Sequence, residues 1–443
     1  MSSARQGSAA AMDVRRFIDG QPVSTYQWMV TAMCGLIVFV DGFDAQAMGF
    51  VAPAVTANLH VTRAVFGTAV SSGLFGMMVG ALLLGPLADR IGRKPVLIVS
   101  TLIFGAGSLL AASSGTIGEL SAYRLLTGLG MGGAMPNAIA LTSEYMPSRY
   151  RARAVTAMMC GFSLGAAVGG FVAAALIPRF GWPSVFVAGG VAPLVIVPIA
   201  SRALPESIRF LLGRRDGQAR ASKYLARIAP GGAPATLVAD ADATVPGFVV
   251  ARLFTDGRAL VTLLIWVVYF TNLLDLYFLN SWLPTIMNDS GIRAETANRV
   301  TALFQVGGCI GAVLLGYTLD RRRTFAVVAW CFLWATIWIY VTAEAGASVP
   351  LLITAMLASG VGIIGGQNGS HALSSDYYPT AIRATGVGWA LGIGRVGSIV
   401  GPLIGGYLLT QAGGPRQVLW MACIPALVAT LAAAAIAGAQ GRH

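Results

Sequence analysis

Polar residues are sparse along this chain, and their placement leaves twelve apolar stretches long enough to cross a bilayer. A crossing helix needs about 20 mostly apolar residues. Six such stretches precede residue 203: 27–57, 63–87, 95–114, 117–144, 152–178 and 182–202. Six more follow residue 257: 258–286, 297–319, 323–342, 349–372, 381–410 and 415–438. The pattern predicts an all-α membrane protein with twelve transmembrane helices in two six-helix bundles, 27–202 and 258–438. Tails at 1–26 and 439–443 and a polar connection at 203–257 complete the division. The connection is rich in Arg, then in Pro, Gly and Ala from Ala229 to Ala235, and reads as part amphipathic helix, part flexible link. No apolar stretch precedes residue 27, so the opening residues do not read as a secretory signal.

The two sets of six repeat each other. Asp44, Pro53, Gly76, Gly80, Gly85, Asp89 and Arg90 recur 231 residues on as Asp275, Pro284, Gly307, Gly311, Gly316, Asp320 and Arg321. Ser143, Tyr145, Pro147 and Arg151 recur 232 residues on as Ser375, Tyr377, Pro379 and Arg383, with Glu144 meeting Asp376. Each copy has an even number of spans, so both share one orientation. Parallel repeats about an axis along the membrane normal place a binding site near the bilayer midplane between the halves.

Composition agrees. Of 443 residues, 56% are hydrophobic and 11% charged, against about 25% charged in soluble proteins. A soluble multidomain enzyme and a disordered chain are both excluded. The 55 glycines suit close helix packing in lipid. A formal charge of +12 taken alone would suggest nucleic acid, but its distribution points to topology. Basic residues concentrate in cytoplasmic loops. With the N-terminus inside, 23 of the 30 Lys and Arg residues fall on the cytoplasmic side and 5 outside. Both ends are therefore expected in the cytoplasm. The five cysteines have no paired spacing and read as small apolar residues.

Ionisable residues inside spans carry the chemistry, because a charge at mid-bilayer costs roughly 2.5–3.5 kcal/mol on insertion scales. Asp41 and Asp44 lie three apart, on one helix face. Two carboxylates that close do not both ionise easily, which suits a proton-coupling pair. Arg124 and Arg395 are the matching cations, able to pair with an acid or clasp an anionic substrate. Arg124 also lies near enough to a span end to snorkel. Asp275, flanked by Asn272, Tyr277, Phe278 and Trp282, joins them as a substrate-side candidate. Phe43, Tyr269, Phe270, Trp282 and Trp389 are candidates for an apolar slot. His371 reads as a proton relay or a hydrogen-bonded core residue.

Gly85-Pro-Leu-Ala-Asp-Arg-Ile-Gly-Arg-Lys-Pro95 is expected in the short loop between spans two and three, with Asp89 at a helix end. Such a cluster either latches one conformation or merely supplies topology charges. Glu144 and Asp376, at cytoplasmic helix ends beside Arg151 and Arg383, read as ion pairs with them or as helix-end gates. Glycines 161, 165 and 169, repeated at 397, 401 and 405, form small-residue faces for helix contact. Glu206 and Arg209, in Leu204-Pro-Glu-Ser-Ile-Arg-Phe-Leu-Leu212, are either loop contacts or part of a solvated helix. No metal-ligand cluster, nucleotide loop or nucleophile–base pair stands out, so no catalytic residue, metal or cofactor is expected.

The spacing G-x-L-A-D-R-x-G-R-K over 85–94 resembles the signature loop of the major facilitator superfamily. Gly316-Tyr-Thr-Leu-Asp-Arg-Arg-Arg323 is similar to its degenerate second copy and lacks the later glycine. P-E-S-x-R-F-L after span six is similar to the sugar-porter-like and organic-acid branches. Asp41-Gly42-Phe43-Asp44 with Gly49-Phe-Val-Ala-Pro53 resembles the aromatic acid:H⁺ symporter family. The resemblance implies proton-coupled uptake of aromatic carboxylic acids such as 4-hydroxybenzoate, protocatechuate or benzoate across a bacterial inner membrane. It implies a monomer working by alternating access, with the proton as coupling ion. Asp41 and Asp44 would be essential, with Arg124 and Arg395 supporting transport. Gly85, Asp89, Arg90, Gly92, Arg93, Glu144, Asp320, Asp376 and Arg383 would form the gating set. A carrier of another organic acid, an exporter of aromatic compounds and a membrane sensor are the competing readings.

Overall fold

The computed structural model describes residues 12–214, 217–229, 237–238, 249–318, 324–379, 382–411 and 414–440. Among these, twelve helices of 20 or more residues follow one another. Spans one to six are Thr25–Asn58, Arg63–Ile91, Arg93–Ala112, Ile117–Tyr145, Ser148–Phe180 and Pro183–Ala203. Spans seven to twelve are Ala259–Asp289, Ala294–Thr318, Thr324–Glu344, Val349–Tyr377, Arg383–Gln411 and Pro415–Gln440. Eleven are long and apolar enough to cross a membrane. The other, span four, carries Glu119, Arg124 and Glu144.

Span one opens on a capping box in which Ser24 and Gln27 satisfy each other's backbone N–H groups. Thr62 and Thr116 cap spans two and four by a single bond each, their hydroxyls accepting from the backbone N–H groups of Val65 and Glu119. The segment 85–91, expected as loop, is instead the last two turns of span two. Leu87, Ala88 and Arg90 are strong helix formers. The whole connection between spans two and three is Gly92, at φ +106°, a conformation glycine adopts without strain.

Glycines set the packing, and they set it twice. A Cβ on Gly165 would sit 1.8 Å from the Phe39 carbonyl oxygen, which brings span five against span one. A Cβ on Gly397 would sit 2.2 Å from the Phe270 carbonyl oxygen, which brings span eleven against span seven. Gly128 meets Gly73 between spans four and two, and Gly360 meets Phe304 between spans ten and eight. These pairs keep the 231- and 232-residue offsets, so the sequence repeat is a repeat of helix contacts.

The halves touch through spans one and seven, two and eleven, and five and eight. Ser71 Oγ donates to the Ile399 carbonyl at 2.8 Å, and Gly170 lies against Ala302. Arg63 at the start of span two pairs with Asp289 at the end of span seven, 2.6 Å apart. That ion pair lies at the face opposite the arginine-rich connections.

On the arginine-rich face the segment before span one is docked. Asp19, closing the helix Val14–Asp19, accepts hydrogen bonds from Ser148 N at 2.6 Å and Ser148 Oγ at 2.8 Å. Slight burial works against ionisation, but Ser148 and the Arg151 and Arg15 charges hold the Asp19 carboxyl below its ordinary value. The one strand pairing among the described residues is two residues long, Met12–Asp13 with Leu237–Val238. After span six come the short helices Ile208–Leu212 and Gly217–Ile228. The second buries Ala221, Leu225 and Ile228, an amphipathic spacing. Residues 230–236, the Pro/Gly-rich part of the connection, lie outside the described residues.

Replacing Gly165 by Leu forces spans one and five apart and is expected to destabilise the protein by about 1–3 kcal/mol, as overpacking does. Thermal unfolding of the purified protein checks this. Gly388→Leu, with nothing within 4 Å of its Cβ direction, is expected to leave the midpoint unchanged.

Candidate functional site

Two carboxyl groups one helical turn apart in span one meet different environments. Asp44 is fully buried, and Arg124 of span four donates to its Oδ2 at 2.7 Å. Ser108 of span three donates to Asp44 Oδ1 at 2.8 Å, and the Arg124 guanidinium lies 5.6 Å from the centre of the Phe186 ring. Arg124 is only 4% exposed, so it does not snorkel. Removing one member of a buried pair strands the other charge and costs about 3–5 kcal/mol. The N-terminal half therefore has a neutralised, hydrogen-bonded pair locked into its centre. Sequence reasoning missed Ser108, because a serine in an apolar span carries no distinguishing signal.

Asp41 is equally buried, yet its Oδ1 has no hydrogen-bond partner. The charges that act on it are Asp44 and Arg395. Arg395 belongs to span eleven of the other half. Its Nη1 lies 3.1 Å from Met77 Sδ and 3.5 Å from the Tyr277 hydroxyl. Among the described residues Arg395 has no ion-pair partner. The arrangement holds one unpaired acid on one half and one unpaired cation on the other.

Beside the Arg395 contacts Met77 and Tyr277 lies a narrow cleft whose walls include Met48, Leu74, Arg124 and Met131 from the N-terminal half and Tyr277, Asn280 and Ser281 from span seven. Its inner end is tied by amides. Gln46 Nε2 donates to the Asn280 carbonyl at 2.8 Å. Gln305 Nε2 donates to Asn280 Oδ1 at 3.0 Å and lies 3.4 Å from Gln46 Oε1. Gln46 and Gln305 are each 2% exposed. These uncharged residues lie on three different spans, and no spacing rule links them.

Other sequence candidates lie elsewhere. Asp275 is fully buried with no hydrogen-bond partner for either oxygen among the described residues. Phe43 packs inside the N-terminal half, against Gly169 and Gly189. The Tyr269 hydroxyl meets Ser374 Oγ at 2.8 Å, His371 Nδ1 at 3.1 Å and the Ser370 carbonyl at 3.1 Å, tying span seven to span ten. His371 is thereby a hydrogen-bonded helix contact. Trp389 stacks on Trp266, ring centres 5.8 Å apart, and is 42% exposed. None of Phe43, Tyr269, Phe270, Trp282 and Trp389 lines the cleft; Met48, Met77, Met131 and Tyr277 do, with Arg124, Asn280 and Ser281 as its polar members.

The gating candidates divide too. Glu206, 5% exposed, accepts from the backbone N–H groups of Arg93 at 2.8 Å, Lys94 at 3.2 Å and Ser207 at 2.8 Å. It caps the exposed donors at the start of span three, where the helix dipole favours an anion. A Cβ on Gly92 would lie 2.4 Å from Glu206 Oε2, so glycine is required there for closeness as well as for φ. Arg93 pairs with Glu144 at 2.5 Å, and the Tyr145 hydroxyl donates to the Glu206 carbonyl at 2.8 Å. The expected Glu144–Arg151 pair is absent among the described residues; Arg151 donates to the Ser143 carbonyl instead. Helix 148–180 turns that side chain back along span four. Asp376 is exposed, and Arg383 donates to the Tyr378 carbonyl. Asp89 and Arg90 are exposed at the end of span two, and the Cβ direction of Gly85 is open. Asp320 lies outside the described residues.

Comparison with known proteins agrees over nearly the whole chain. It is 44% identical to the 4-hydroxybenzoate transporter PcaK of Pseudomonas aeruginosa, covering 98% of this chain and 97% of that one. It is 40% identical to a gallate transporter of Pseudomonas putida, covering 96% and 94%. Its fold matches the inward open conformation of the xylose transporter XylE from E. coli with a TM-score of 0.74, at 16% identity, over 91% and 95% of the two chains. The family model described as Major Facilitator Superfamily matches residues 34–256 and 265–440. This multi-pass membrane protein belongs to the major facilitator superfamily.

Proposed function

We propose that the chain imports aromatic carboxylic acids such as 4-hydroxybenzoate, protocatechuate or benzoate together with protons, by alternating access. The carrying observation is that Asp41 of one half and Arg395 of the other lack an ion-pair partner among the described residues, while Arg395 touches the cleft residues Met77 and Tyr277. A substrate carboxylate docks on Arg395 and a proton is carried on Asp41. Linkage is reciprocal, so proton and anion each favour the other's binding. One anion and one proton move as a neutral load, whereas an anion alone would have to enter against a negative-inside potential.

The other features supply the moving frame. The bundles 27–202 and 258–438 rock about the cleft. Arg63–Asp289 closes one mouth, which the distribution of basic residues assigns to the outside. The Glu206 cap and the Arg93–Glu144 pair fix the cytoplasmic end of the N-terminal bundle as one body. In this reading both chain ends lie in the cytoplasm of a bacterium and the spans in its inner membrane, as the bias of basic residues supports. The relatives named above, a 4-hydroxybenzoate and a gallate transporter, support an aromatic acid as cargo. A single chain contains both halves of the pathway, so it works as a monomer, without cofactor.

Cells expressing the protein are expected to accumulate labelled 4-hydroxybenzoate at acidic outside pH, and to lose that accumulation with a protonophore. Uptake indifferent to the protonophore contradicts the coupling; absence of uptake despite membrane expression contradicts the substrate class. The two aspartates are expected to separate. Asp41→Asn leaves the thermal midpoint near the wild-type value and abolishes proton-driven accumulation while substrate exchange persists. Asp44→Asn strands Arg124 and lowers stability by about 3–5 kcal/mol as well. Thermal unfolding and uptake, measured on the same preparations, distinguish them.

A further inference from the structure

We propose that Asn280 selects acids that carry a ring hydroxyl, which makes it the specificity-determining residue of the cleft. The inference rests on the reading above, in which the substrate carboxylate docks on Arg395.

Tyr277, 3.5 Å from Arg395, and Asn280 both line the cleft from span seven. They are three residues apart and share a helix face, separated by about 4.5 Å of rise, comparable to the width of one benzene ring. A carboxylate held at Arg395 therefore directs the far edge of its ring toward Asn280. Met48, Leu74 and Met131 bound the space between. The space they bound is about 20 Å³ in this conformation, so a flat ring enters it as the halves part, with thioether sulfur favourable against that ring.

The Asn280 carboxamide is held in one sense. Gln305 Nε2 donates to Asn280 Oδ1, and Gln46 Nε2 occupies the Asn280 backbone carbonyl. Among the described residues Asn280 Nδ2 has no acceptor, although the side chain lines the cleft. An amide donor with its carbonyl end already engaged is poised for an oxygen on the ligand. A ring hydroxyl supplies that oxygen. A hydrogen in its place leaves the donor to water, and a methyl group displaces that water without replacing the bond. Sites that hydrogen-bond a substrate hydroxyl discriminate strongly against analogues lacking it.

The test compares 4-hydroxybenzoate with 4-methylbenzoate, which has similar size and no hydroxyl, as substrates of the full-length protein in proteoliposomes under an imposed proton gradient. Wild type is expected to favour 4-hydroxybenzoate by on the order of 10-fold, the ratio for about 1.4 kcal/mol, within the range of one hydrogen bond. Asn280→Leu and Asn280→Ala are expected to bring the ratio near unity, with 4-methylbenzoate transport retained. Asn280→Ser is expected to keep part of the preference. An unchanged ratio in the variants overturns the assignment, and so does a parallel loss of both acids, which marks Asn280 as a structural link between halves. A wild type that transports both acids equally overturns it without any variant. A wild type that transports neither acid overturns the aromatic-acid reading itself, and this inference with it.

Discussion

A carboxylate buried in a helix bundle within lipid must find a cation, find hydrogen-bond donors or hold a proton. Span one carries two carboxyl groups a single turn apart, and the rest of the centre is arranged around the difference between them. Asp44 has Arg124 and Ser108. Asp41 has no hydrogen-bond partner for one oxygen and has the field of Arg395 from the opposite half. A pair that is permanently matched is structural, and breaking it costs stability. An acid whose partner belongs to the other half, and whose partner also suits the substrate, is matched only in part of a cycle. That is the physical requirement for coupling a proton to an anion.

The repeat shows which features belong to the fold and which to the chemistry. Gly165 against Phe39 and Gly397 against Phe270 keep the same contact in both halves. The polar groups do not follow. Asn272 stands where Asp41 would recur and lies 3.4 Å from the Ile363 carbonyl through its Nδ2. Asp275, the counterpart of Asp44, has no ion-pair or hydrogen-bond partner among the described residues. Asp41 belongs to one half and Arg395 to the other, so motion between the halves changes the distance between them.

Span positions were legible in the sequence because length and apolarity alone decide them, and helix-contact faces were legible because glycines recur every four residues. The Asp41–Asp44 spacing was legible for the same geometric reason. Partners through space were not. Span seven is apolar on nearly every face, so its pattern does not say whether Asp275 or Asn280 faces the cleft; the structure gives the cleft to Asn280. Asp89 was expected at a helix end able to pair with an arginine or a helix N-terminus, yet span two runs on as helix and Glu206, more than a hundred residues away, reaches the start of span three. Glu144 had Arg151 nearby in sequence and Arg93 nearby in space. Gln46, Asn280 and Gln305 are uncharged and scattered, and only folding brings them together.

The central claim is that Asp41, not Asp44 or Asp275, takes up the proton when the substrate anion occupies Arg395. Infrared difference spectroscopy on the reconstituted protein measures this directly, by comparing spectra with and without 4-hydroxybenzoate. The account predicts a protonated-carboxyl band that grows on substrate addition, disappears in Asp41→Asn and survives in Asp275→Asn. A substrate-induced carboxyl band that persists in Asp41→Asn would contradict it.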